Sequence, residues 1–133
     1  MSLDELLSTF DRKKAAPAAE LESFVQTFRF EPPADYLDFL RGSNGGEGFI
    51  GGRYFMATPL EDLQRTNELY QISRFAPGLF LFGSSGGGEG YAFDLRSTRP
   101  TIVAVPFVTL SLNELSPMGS TFEEFLERLV HDE

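Results

Sequence analysis

Asp35, Asp38, Glu47, Glu89 and Asp94 are the carboxylates whose chemistry would suit general acid–base catalysis or a hard-metal site. Acid–base work needs two carboxyl groups converging on one reacting atom, and a calcium- or magnesium-type site needs several oxygens at short, regular spacing. Nothing in the spacing of these five selects either arrangement. Asp35 falls in the first turn of a helix, where a carboxylate is favoured by the helix dipole, Asp38 is expected on the solvent face, and Asp94 sits within a strand. His131 is the single histidine and stands near the end of the last helix, where it reads as a cation set against the dipole. With no cysteine in the chain, thiolate nucleophiles, disulfides and thiolate metal sites are excluded. The expectation is a protein with no catalytic residue, no metal and no cofactor.

Two glycine clusters invite a phosphate-binding reading. Five of the eight residues from Gly83 to Gly90 are glycine, which lets backbone N–H groups approach an anion or a partner's backbone. The Lys-Ser/Thr pair of a phosphate loop is missing, Glu89 brings negative charge, and a strand follows instead of a helix. A hairpin loop with positive φ at several positions is expected, and Glu89 is kept as a partner contact. Gly46-Glu-Gly-Phe-Ile-Gly51 has the spelling of a dinucleotide fingerprint but runs from a helix into a strand, the reverse of the context that motif needs.

The remaining candidates point to macromolecular contact. Tyr36 and Tyr91 are amphipathic and serve either as core or as binding anchors, a role for which tyrosine is enriched. Asn44 is expected to take the left-handed or cap geometry that ends a helix, and Asp94 to hydrogen-bond a neighbouring turn. Eleven Lys plus Arg against twenty Asp plus Glu give a formal charge of −9, which opposes nucleic-acid binding and favours a basic protein partner. The acids are dense near the end: residues 114–133 hold six, Glu123, Glu124 and Glu127 among them, against Arg128 alone. The predicted partner surface therefore comprises Asp35, Tyr36, Asn44, Glu89, Tyr91, Asp94, Glu123, Glu124 and Glu127.

These residues must be positioned by one domain, since 133 residues suffice for one core and not for two, and fourteen phenylalanines are spread along the chain. Leu3, Leu6, Leu7 and Phe10, then Leu21, Phe24, Val25 and Phe28, repeat the i, i+3, i+4, i+7 spacing and predict two amphipathic helices joined by a hinge at Lys13–Pro17. Pro33 opens a third, with Tyr36, Leu37, Phe39 and Leu40 inward and Gly42–Gly46 as its stop. Phe49-Ile50 and Tyr54-Phe-Met56 predict a hairpin around Gly51-Gly52. Thr58-Pro-Leu-Glu61 reads as a capping box for a helix running to about Ile72, and Ser120-Thr-Phe-Glu123 as one for a last helix bearing Phe122, Phe125, Leu126, Leu129 and Val130. Leu79–Phe82, Tyr91–Leu95 and Ile102–Val105 predict three more strands. Short connections favour antiparallel pairing, so the class is α+β with a mostly antiparallel sheet of about five or six strands flanked by helices. The start of the chain lacks signal-peptide features and no apolar run reaches the roughly 20 residues of a membrane span, so a cytoplasmic protein without membrane association is expected.

The order Pro33-Ala-Asp-Tyr-Leu-Asp-Phe-Leu40, Asn44-Gly-Gly46, Pro59-Leu-Glu, Gly86-Gly-Gly-Glu-Gly-Tyr-Ala-Phe-Asp94 and Thr121-Phe-Glu-Glu-Phe-Leu126 resembles the SUKH superfamily of yeast-type cell-wall-synthesis regulators and their bacterial relatives, over about residues 20–130. The chain departs from many relatives at Glu89, where they carry Asp, and at Ser84-Ser85. The resemblance implies a mostly antiparallel sheet with flanking helices and a non-catalytic role. For bacterial members that role is immunity, the neutralisation of a polymorphic toxin, often a nuclease, by complex formation. A regulatory adaptor without a toxin is the alternative it leaves, and a small-ligand or anion-binding domain using the glycine loop is a third.

Overall fold

The computed structural model describes residues 2–28 and 30–131; the acids at 132 and 133 counted in the carboxy-terminal run lie outside the described residues. Seven strands, β1 (Phe10–Arg12), β2 (Gly46–Ile50), β3 (Arg53–Ala57), β4 (Leu79–Ser84), β5 (Glu89–Asp94), β6 (Thr101–Pro106) and β7 (Ser116–Gly119), lie side by side in chain order. Every neighbouring pair is antiparallel. Six α-helices flank them: α1 (Leu3–Leu6), α2 (Ala18–Thr27), α3 (Ala34–Gly42), α4 (Leu63–Leu69), α5 (Ile72–Phe75) and α6 (Phe122–His131). The α+β class holds, with seven strands in place of five or six. The two extra strands are the sheet's edges, each only three or four residues long.

Alternation along the central strands divides the core in two, as the two-residue period of a strand requires. Phe82, Tyr91, Phe93, Ile102 and Ala104 face one side and pack with α3 and α6, where Tyr36, Phe39, Leu40, Phe122, Phe125 and Leu126 are buried. Leu79, Leu81, Ala92, Val103 and Val105 face the other, under Ile72 and Ala76 of the α5 region and Leu110 of the segment after β6. The first core is aromatic. Phe82 stacks on Phe93 at 4.6 Å, Tyr36 meets Phe93 edge-on at 5.1 Å, and Phe125 contacts Phe55 at 5.2 Å and Tyr91 at 4.9 Å. Each such ring contributes roughly 1.5–3 kcal/mol by burial.

Several local expectations shift. The helical spacing of Leu3 to Phe10 ends early: α1 stops at Leu6, and Phe10 begins β1, pairing with Gly48. Glycine at position 46 permits this, because a Cβ there would lie 2.5 Å from the Asp11 carbonyl. The helix predicted from Leu60 to Ile72 is three pieces: a 3₁₀ turn over Leu60–Asp62, then α4, then α5, the last break made by Gln71 at φ +53°. The Thr58 box is absent; the donor at Leu60 N is taken by Asn44 Oδ1 at 2.7 Å instead. The last helix is capped one residue later than predicted. Thr121 Oγ1 accepts from Glu124 N at 3.1 Å, and the Glu124 carboxylate accepts from Ser120 N at 2.8 Å.

One side chain stands in for a strand. β3 pairs with β4 only at Met56–Ser84 and Ala57–Gly83, leaving Leu81 without a β3 partner. Asn67 of α4 accepts from Leu81 N at 2.7 Å and donates to Leu81 O at 3.0 Å, so its amide completes the ladder. No helix among the described residues is long and apolar enough to cross a membrane.

Candidate protein-interaction surface

The nine predicted contact residues do not converge. Tyr36 and Tyr91 are 1% and 0% exposed, so in this fold both are core rings and not surface anchors; the aromatic environment that suits them to an interface suits them equally to the interior. Among the described residues the Tyr36 hydroxyl has no hydrogen-bond partner, and burial raises its pKa well above the ordinary tyrosine value. Asp35 serves a helix other than its own. Its two carboxylate oxygens accept from Phe122 N at 3.0 Å and Glu123 N at 2.9 Å, fastening α3 to the start of α6. Asn44 caps the 60–62 turn and donates to Glu61 at 2.7 Å, while the left-handed geometry predicted for it falls to Gly45 at φ +82°.

Asp94 closes the turn after β5. Arg96 donates to it from Nε and Nη2, both at 2.9 Å, and from its backbone N at 3.1 Å. The guanidinium contact holds the Asp94 carboxyl below its ordinary pKa, opposed by partial burial and helped by the backbone donor. Glu89 is paired with Arg53 at 2.9 Å. Glu123, Glu124 and Glu127 lie along α6, which covers the aromatic face of the sheet, and Glu124 is already engaged as a cap.

The surface that does assemble binding chemistry was missed. On the strands β1–β3 the side opposite the aromatic core presents Asp11, Glu47, Phe49, Tyr54 and Met56, aligned by the pairings Asp11–Glu47, Glu47–Met56 and Phe49–Tyr54. Ile72 and Ala76 of the α5 region and Leu110 of the segment after β6 cover the β4–β6 part of that side. The β1–β3 part is left open, with Phe49 56% and Met56 39% exposed. Phe49 and Tyr54 touch edge to face at 5.1 Å, and the Tyr54 hydroxyl donates to Glu47 at 2.6 Å. That bond to a carboxylate is the main reason the tyrosine pKa is raised. Asp11 lies 3.8 Å from Lys13 across exposed surface. Aromatic and methionine side chains, the types enriched at protein interfaces, here stand among carboxylates.

The glycine loop borders this patch. Gly86 sits at φ +78° with Tyr54 and Met56 3.2–3.3 Å from where its Cβ would be. It is the single position from 83 to 90 with positive φ, against the several predicted. The N–H groups of Gly86, Gly87 and Glu89 are taken by the hydroxyls of Ser84 and Ser85, so these donors are not offered to an anion. Among the described residues no group of three or more His, Asp or Glu is placed to hold a metal.

A signal for the patch existed in the sequence. Tyr54-Phe55-Met56 is apolar at three successive positions, so both faces of β3 carry apolar side chains while the core can take one. Comparison with curated proteins gives no match. A family model, SMI1 / KNR4 family (SUKH-1), matches residues 15–128. That span runs from the residues before α2 into α6 and takes in all but the first edge strand, so the chain belongs to the SMI1 / KNR4 family (SUKH-1).

Proposed function

We propose that this chain is a non-catalytic immunity protein that neutralises a cognate toxin by forming a stoichiometric complex, its partner being a basic protein domain seated on the open β1–β3 face. The observation that carries the reading is the placement of exposed Phe49, Met56 and Asp11 with half-buried Tyr54 and Glu47 on one side of β1–β3. Apolar rings there supply the desolvated centre of an interface, and the carboxylates select a cationic partner. Family membership supports binding over catalysis. Inhibition is by occlusion. The chain's charge of −9 speeds encounter through long-range attraction, with Glu123, Glu124 and Glu127 contributing from the opposite side.

The test is co-expression with each protein encoded beside this gene, followed by calorimetry on any complex. Tight one-to-one binding to a toxin domain, weakened by Phe49→Ser and by Glu47→Lys, supports the reading. Binding to a neighbouring protein that has no toxic activity assigns the chain to a regulatory adaptor role, and absence of any complex removes the immunity reading.

A further inference from the structure

A second surface of different character lies at the far end of the β4–β5 hairpin from the glycine loop. Phe24 of α2, Phe28 just past its end, Phe30, and Phe80 of β4 are all partly exposed and form one cluster: Phe24–Phe28 at 4.1 Å, Phe28–Phe30 at 4.7 Å and Phe28–Phe80 at 5.5 Å. They line two depressions of about 660 Å³ and about 1000 Å³ that share Phe28, Phe30 and Leu95. A third, of about 310 Å³, shares Phe24, Thr27 and Gln64 with the first of these. The shared residues set the three side by side, as a row of depressions flanking α2, here called the trough. Its rim is acidic: Glu20, Glu31, Glu61 and Glu68 line it, and among the described residues Arg99 is the cation that does.

Each depression alone is of small-molecule size, but three in a row around one phenylalanine cluster offer the successive side-chain sites that receive a peptide segment. A wholly apolar occupant would desolvate four carboxylates without pairing them, which is costly. An occupant with apolar side chains for the phenylalanines and cations for the rim meets both demands. We propose that this trough docks a protein segment in which apolar residues alternate with lysines or arginines, as on an amphipathic basic helix. The trough binds through its own chemistry, whatever occupies the β1–β3 face.

The probe is a fluorescein-labelled 14-residue Leu/Lys peptide of helical period, with Leu/Glu and Ser/Lys peptides of the same length for comparison. Fluorescence anisotropy gives affinity, and amide shifts in ¹H–¹⁵N spectra locate the contact. The expected result is binding of the Leu/Lys peptide at least tenfold tighter than either comparison peptide, with shifts at residues 24–28, 78–80 and 95. Phe28→Ser weakens it at least tenfold. Thr27→Arg, at an exposed position on the trough wall, does the same without removing an aromatic ring and stands in if the first variant fails to fold. Phe49→Ser leaves affinity within twofold. Equal binding of the Ser/Lys peptide, shifts confined to α6 or the β1–β3 face, or full affinity in Thr27→Arg would overturn the proposal. So would concentration-dependent dimerisation abolished by Thr27→Arg, which would assign the trough to a second copy of the chain.

Discussion

Removing the Asp35 carboxylate is expected to loosen α6 from the rest of the domain. Phe122, Glu123 and Glu124 hold the first N–H groups of that helix, which no intrahelical carbonyl can satisfy. Asp35 takes the first two, at 3.0 and 2.9 Å, and Thr121 Oγ1 takes the third at 3.1 Å. Loss of a helix N-cap costs about 0.5–2 kcal/mol, and here the acceptor is charged, bonds twice and faces the dipole's positive end, so Asp35→Ala should cost about 2–3 kcal/mol. For a chain of this length that lowers Tm by roughly 7–10 °C. Asp35→Asn retains one acceptor oxygen and should lose about half as much. The control is Asp38→Ala three residues along the same helix, which removes an exposed pair with Arg41 at 2.7 Å and should cost under about 0.5 kcal/mol. Urea unfolding with a common m-value measures all three. If Asp35→Ala and Asp38→Ala are equally mild, the cross-helix cap carries no stability and its account is wrong.

Tyr36→Phe deletes a buried hydroxyl that lacks a partner, so it should stabilise the fold by about 1 kcal/mol, read as a rise in the urea midpoint; a loss of stability would reveal a hidden partner. Asn67→Ala strips Leu81 of both backbone bonds and should cost about 2–3 kcal/mol, with faster amide exchange at Leu81 as its signature. The Asp94 carboxyl is held below its unfolded-state pKa, so the unfolded chain binds the proton first as pH falls, and stability drops with it. The excess stability of the native protein over Asp94→Asn should therefore be constant well above the ordinary Asp value of about 4 and shrink as pH falls through and below it; a difference independent of pH would contradict the Arg96 contact.

How much of this was legible depended on whether the deciding contact was local. α2, α3 and α6 are periodic and bounded by prolines or a threonine cap, and the β2–β3 hairpin is written in its glycines, so all four follow from neighbours in sequence. β1 does not: Leu3 to Phe10 keeps helical spacing, and only the approach of Gly46 and Gly48 from over thirty residues away turns Phe10 into a strand residue. β7 is four residues including a proline and exists as the edge partner of β6. Site residues failed for the same reason. Asp35 sits in a first helical turn as expected, yet its carboxylate serves a helix 87 positions away. Tyr36 and Tyr91 have interface chemistry, but nothing nearby in sequence distinguishes a ring bound for the core from one bound for a partner. The open face was half legible: Tyr54-Phe55-Met56 puts apolar side chains on both sides of β3, but which side stays uncovered depends on where the α5 region and the segment after β6 pack, and that run does not record it.

The central proposal, that the open β1–β3 face is where a protein partner sits, is tested most directly by hydrogen exchange on the complex with whichever protein encoded beside this gene the chain binds. The account predicts protection concentrated at residues 47–56 and 84–89, and at least a thirtyfold loss of affinity, about 2 kcal/mol, in Phe49→Ser. Protection confined to α6 or to the trough along α2, with Phe49→Ser binding at full strength, would contradict it.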